Sequence, residues 1–125
     1  KNIILLLKKN KIRVSLFIEP KIRDIKLSKV IGVDCVELHT GTFCNSFNKN
    51  KNIKKNFYKI KKASTFAKKV GLEVHAGHGL TFKSAKKISR IESIAEFNIG
   101  HFIIAESIFL GLNNTIKKFK KIIGS

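Results

Sequence analysis

Methionine and tryptophan are absent from this chain, proline and tyrosine occur once each, and arginine occurs only three times. Acidic residues are also scarce, eight against 26 lysines and arginines, which leaves a formal charge of +18. Each shortage excludes something. A chain without methionine that opens on Lys1 does not begin at an ordinary start, because the initiator is normally removed only before a small residue, so it reads as a fragment or a processed product. No apolar run approaches the ~18 residues of a membrane span. The longest near the start, residues 3–7, closes at Lys8-Lys9 without a signal-peptide cleavage pattern, so no membrane association and a cytoplasmic setting are expected. Cys35 and Cys44 lack the C-x-x-C spacing of zinc and redox sites and read as free thiols.

The shortage of arginine bears on the charge. Nucleic-acid sites favour arginine for bidentate phosphate and guanine contacts, whereas 23 of the 26 basic residues here are lysine. Lysine, asparagine and isoleucine together number 23, 10 and 19, and all three have AT-rich codons. Compositional drift of a genome would load lysine onto solvated helix faces without functional demand. No specific nucleic-acid binding is expected. A basic polyanion-binding module and a decayed gene product stand as alternative readings.

What is present is a regular alternation. Residues 2–10 read as the end of a helix, and residues 12–18 as a β-branched and aromatic strand that Pro20 ends. A helix is expected over 21–31 and a strand over 33–39. Residues 43–52 then read as a polar, asparagine-rich loop, long enough to cover a ligand. The helix at 53–70 is the clearest, with Ile53, Phe57, Ile60, Ser64 and Ala67 on one stripe and lysines opposite. A strand at 72–76, a short helix at 83–90, a strand at 95–99 and a last helix from about 109 to 123 complete the order. Strands separated by helices form a parallel sheet. Four such units after a stray helix predict an α/β fold, half of a (βα)8 TIM barrel. The competing doubly wound sheet lacks its fingerprint, since Gly77-His78-Gly79 does not continue as G-x-G-x-x-G.

In a βα barrel the C-terminal ends of the strands carry the chemistry. The three later strands end in Glu37-Leu-His39-Thr-Gly41, Ala76-Gly-His78-Gly79 and Asn98-Ile-Gly100-His101. Glu37 and His39 are two apart and point to one face. Glycines on both sides of His78 leave the backbone room to turn sharply or approach a ligand. The last two barrel loops often bind phosphate through backbone N–H groups, and Gly79 and Gly100-His101 stand at those places. His75 and His78 lie three apart on a strand and face opposite ways, and no H-E-x-x-H helix is present, so no metal site is expected.

Four strings in order, Arg-Val-Ser-Leu-Phe-Ile-Glu at 13–19, Val-Glu-Leu-His-Thr-Gly at 36–41, Ala-Gly-His-Gly-Leu-Thr at 76–81 and Asn-Ile-Gly-His at 98–101, resemble the pyridoxine 5′-phosphate synthase family. The resemblance extends to residues 62–67 and to Gly111-Leu112. It implies a (βα)8 barrel in a homo-octamer, working without metal or organic cofactor. The implied reaction condenses 3-amino-2-oxopropyl phosphate with 1-deoxy-D-xylulose 5-phosphate, closing the pyridine ring and releasing phosphate and water. By the same resemblance His78 matches the proton donor and Glu37 the transition-state stabiliser. Gly79 matches a contact to the aminooxopropyl phosphate, and Gly100 and His101 the pair that holds its phosphate. Lys83 and Arg90 read as solvated helix residues instead. The family's chain is about twice as long, so residues 1–125 are expected to be the C-terminal half of one barrel domain, from the tail of helix 4 through strand 5 to helix 8. Two general bases, a histidine and a glutamate, would lie in the other half. The fragment is expected to retain much of the aminooxopropyl-phosphate site without turning over.

Overall fold

The computed structural model describes residues 2–124. The β-branched and aromatic runs form four strands, β1 (Ser15–Ile18), β2 (Cys35–His39), β3 (Glu73–Gly77) and β4 (Glu96–Asn98). Every neighbouring pair is parallel, and the order across the sheet is β1-β2-β3-β4. The sequential order excludes a doubly wound sheet over these strands, because that fold reverses direction at a switch point. A sheet wound in one direction keeps its right-handed crossovers on one face. The result is four βα units, half of a (βα)8 barrel, as the alternation predicts.

Among the described residues seven helices accompany the strands: α1 (Asn2–Lys9), α2 (Ile22–Ile31), α3 (Gly41–Asn48), α4 (Ile53–Lys69), α5 (Phe82–Ile88), α6 (His101–Leu110) and α7 (Leu112–Ile123). Among the described residues, none is long and apolar enough to cross a membrane. The core lies between the helices and one face of the sheet. There Val36, Leu38, Val74 and Ala76 are fully buried with Ile25 of α2 and Ile60, Ala63 and Ala67 of α4. Each large aliphatic side chain buried in this way contributes roughly 1.5–3 kcal/mol.

The alternate residues of the strands form the second face. Register pairs Glu37 with His75, His39 with Gly77, His75 with Glu96 and Gly77 with Asn98. Purely parallel sheets are normally covered on both faces. In this chain the second face is largely polar and opens toward β1, where Phe17 is 55% exposed, while Cys35 and His75 on the same face are buried.

Two expectations need correction. Residues 43–52 are not a loop throughout, because α3 occupies Gly41–Asn48. Glycine, threonine, asparagine and serine are poor helix formers, and what stabilises α3 is the burial of Phe43 and Cys44. The last helix, expected from about 109, starts at Leu112 as α7, and a helix that the alternation does not predict, α6, precedes it, the two divided at Gly111 with φ of 77°. In α6 apolar residues run nearly all round the helix and mark no stripe, so no 3.6-residue period announces it.

Candidate active site

His78 stands just beyond β3 in the left-handed region, with φ of 77°. That conformation costs a non-glycine residue on the order of 1–3 kcal/mol and persists only where its surroundings impose it. Thr40 imposes it from the end of β2. Its backbone N–H donates to the Gly77 carbonyl at 2.8 Å, and its hydroxyl lies 2.8 Å from that oxygen and 2.7 Å from the His78 carbonyl. Thr40 is completely buried, so the two strand ends are joined where water cannot compete. Gly79 follows, also left-handed, and Thr81 and Ser84 then close a reciprocal capping box at the start of α5.

Glu37 on β2 reaches across the end of β3. Its Oε2 accepts a 2.7 Å hydrogen bond from Asn98 Nδ2 on β4. The carboxylate passes directly over Gly77, where a Cβ would overlap Oε1. Three neighbouring strands are thereby linked through a single side chain. After β4, Gly100 leads into α6, whose first backbone amides have no acceptor within the helix and carry its positive dipole end. Ring contacts among Phe82, Phe102 and Phe119, with centroids 4.5–6.0 Å apart, fasten α6 to α5 and α7. A cleft of about 400 Å³ opens between these elements, lined by His78, Gly79, Asn98, Gly100, His101 and Phe102 among others. Four of the five residues singled out by resemblance line it. Glu37 does not, and it meets the cleft through Asn98.

Side chains that the sequence reading gave no role complete the surroundings. Asn98 orients Glu37, and Thr40 fixes the backbone of His78. Glu19, just past β1, lies 2.8 Å from His39 Nδ1. The His39 ring in turn sits 4.6 Å from that of His78, centroid to centroid, and Phe17 meets His39 edge-on at 5.2 Å. Only register across strands could have revealed these pairings, since their partners lie 20 to 61 positions apart.

Lower on the same face, Arg13, Glu73, His75 and Glu96 form a separate polar cluster. Glu73 accepts from His75 Nε2 at 2.8 Å and pairs with the Arg13 guanidinium. His75 first and Arg13 second hold the Glu73 carboxyl below its ordinary range, and Glu73 in return raises Arg13. Glu73, His75 and Glu96 are the donor group among the described residues with metal-ligand spacing, their atoms lying within 4.8 Å of one another. Arg13 and His75 already satisfy Glu73, so a cation there would have to displace an ion pair. Both cysteines are free and buried. Burial pushes the Cys44 thiol up, which makes it a packing residue beneath the His78 turn rather than a nucleophile.

These features define a class: half of a (βα)8 barrel with its polar groups gathered at the C-terminal strand ends. The chain belongs to the family described as pyridoxal phosphate biosynthesis protein PdxJ, whose family model matches residues 1–125. It is 52% identical over 122 residues to the pyridoxine 5′-phosphate synthase of Pelagibacter ubique, a match covering 98% of this chain and 51% of that protein. The corresponding enzyme of a Sulfurihydrogenibium species is 47% identical over 117 residues, covering 94% of this chain and 47% of that one. That of Zymomonas mobilis is 46% identical over 109 residues, covering 87% and 42%. The chain therefore spans about half the length of the curated relatives it matches, and the matched part is their C-terminal half.

Proposed function

We propose that this chain supplies the C-terminal half of the active site of a pyridoxine 5′-phosphate synthase. The observation that carries the reading is the joining of His78, Glu37 and the start of α6 around one cleft by Thr40, Asn98 and Gly77. The substrates are 3-amino-2-oxopropyl phosphate and 1-deoxy-D-xylulose 5-phosphate. The phosphate of the first lies at Gly100 and His101, where amides at a helix N-terminus favour an anion. Gly79 contacts the same substrate. Imine formation and loss of water need a group that gives and takes protons near neutral pH, the ordinary range of histidine, and His78 is that proton donor. Glu37, held by Asn98, stabilises the cationic carbinolamine and imine states. No metal or organic cofactor enters the reaction.

The missing partners belong to the other half of the barrel, which closes the open face and both sheet edges. The exposed apolar side chains of α1 and α6, including Ile3, Ile104, Ile108 and Phe109, support burial against that half or against further subunits of a homo-octamer in the cytoplasm. Joining this chain to the N-terminal half of the Pelagibacter ubique relative tests the reading. This completed barrel should form pyridoxine 5′-phosphate, and His78→Ala should lower the rate by about 10²–10⁴-fold. A completed, folded barrel without product, or one indifferent to His78→Ala, would refute it. The charge of +18 favours a second reading as a polyanion-binding module. That reading requires affinity that falls steeply with salt and ignores His78.

A further inference from the structure

Glu19 and His39 have no part in the chemistry just described, yet they are built against its central residue. We infer that they form a positioning pair for His78, an inference that rests on the proton-donor reading of that histidine. Glu19 Oε1 stands 2.8 Å from His39 Nδ1. A carboxylate only accepts, so Nδ1 carries a proton toward Glu19. Nε2 is turned toward Gly41, the first residue of α3, where a Cβ would come within 2.8 Å of it and within 3.0 Å of His78 Cδ2. The positive end of a helix favours a lone pair there over an N–H. The absence of a side chain at Gly41 is what lets the two imidazoles share that space.

Phe17 packs nearly perpendicular to the His39 ring at 5.2 Å and also lies 6.3 Å from the His78 ring, so the three rings meet one another. The His39 ring forms a wall, centroid to centroid 4.6 Å from His78. His78 needs such a wall. Its backbone is fixed by Thr40 but bonds to its carbonyl leave χ1 and χ2 free, and a donor displaced by about 1 Å can lose about a hundredfold in rate. Glu19 directly follows β1 and His39 ends β2, so the pair transmits the position of two strand ends to a residue beyond the third. Neither Glu19 nor His39 lines the cleft itself, which the pair reaches only through His78.

The test uses the completed barrel and has two independent arms. In the first, long-range ¹⁵N–¹H correlation reads the tautomer of His39 without reference to activity. The Nδ1–H form is expected, reverting toward the commoner Nε2–H form in Glu19→Leu, which leaves Nδ1 no acceptor, with loss of ring-to-ring NOEs between His39 and His78. An Nε2–H tautomer in the unsubstituted protein, or NOEs unchanged in Glu19→Leu, overturns the inference. In the second arm Glu19→Leu and His39→Phe should each lower kcat by about 10–100-fold with KM for both substrates within about twofold. Unchanged kcat, or a raised KM at full kcat, counts against the pair. Glu19→Leu is close in size to the native residue and guards against misfolding of the bulkier variant. Should the unsubstituted barrel form no product at all, the proposed function fails, while the tautomer and NOE arm still decides whether the pair positions His78.

Discussion

Gly77 is where the candidate site closes most tightly, because the Glu37 carboxylate occupies the volume a side chain would take. Gly77→Ala meets the far end of the Glu37 side chain and also comes within 3.1 Å of Asn98 Cβ, which must give by a few tenths of an ångström, so stability should fall by about 1 kcal/mol. Glu37, however, must swing away from Asn98. We expect a completed barrel that melts only slightly lower and loses condensation by about a hundredfold or more, read by thermal denaturation beside a product assay. Asp34 presents the opposite case, a carboxylate serving the fold. It accepts from Val14 N at 2.9 Å and pairs with Lys8 Nζ at 2.8 Å, tying α1 to the starts of β1 and β2. The Lys8 contact first, then the Val14 amide, hold its pKa below the ordinary value. The folded pKa being the lower one, its stabilisation is complete above the unfolded value near 3.9 and disappears as pH falls through the folded value. Urea denaturation at pH 6 and pH 3 should show a smaller acid loss for Asp34→Asn than for the unsubstituted chain.

At the scale of elements, the junction of β2 with α3 governs the turn after β3. Thr40→Val keeps the shape and removes the hydroxyl that serves the Gly77 and His78 carbonyls. A loss of roughly 1–2 kcal/mol is expected by chemical denaturation. Greater mobility of His78 should accompany it, visible as broadening of its imidazole resonances. The elements also differ in how far their residues announce them. α4 was legible because lysines and apolar residues alternate at helical spacing over seventeen residues. α3 was not, since its residues favour turns and only the burial of Phe43 and Cys44 makes them helical. α6 is hidden for another reason: a helix apolar nearly all round has no polar face to reveal its period.

At the scale of the whole molecule, the sheet among the described residues ends in β1 and β4 without a further strand on either side, and its second face is partly open. Unpaired parallel edges recruit other chains, and α6 adds large exposed apolar side chains. The isolated chain should therefore self-associate in sedimentation velocity at moderate salt, and the completed barrel should sediment as discrete species. If the isolated chain remains a stable monomer, those edges and faces are not the interfaces assumed. Its charge of +18 opposes self-association at low salt and is screened as salt rises, so association should increase with ionic strength. Polyanion binding would show the reverse trend.

The sequence by itself determined the alternation of strands and helices, the half-barrel class and the strand ends at which Glu37, His78, Gly79, Gly100 and His101 fall. Those properties are written in local periodicity, in turn residues and in short strings that survive translation into structure unchanged. Tertiary structure alone decided that α3 is a helix, and that Thr40 holds His78 in a left-handed conformation. It alone set Asn98 and Gly77 around the Glu37 carboxylate and put Glu19 against His39. The physical reason is register. Parallel strands bring together residues that crossover helices keep far apart in the chain, and no local pattern records which of them will meet.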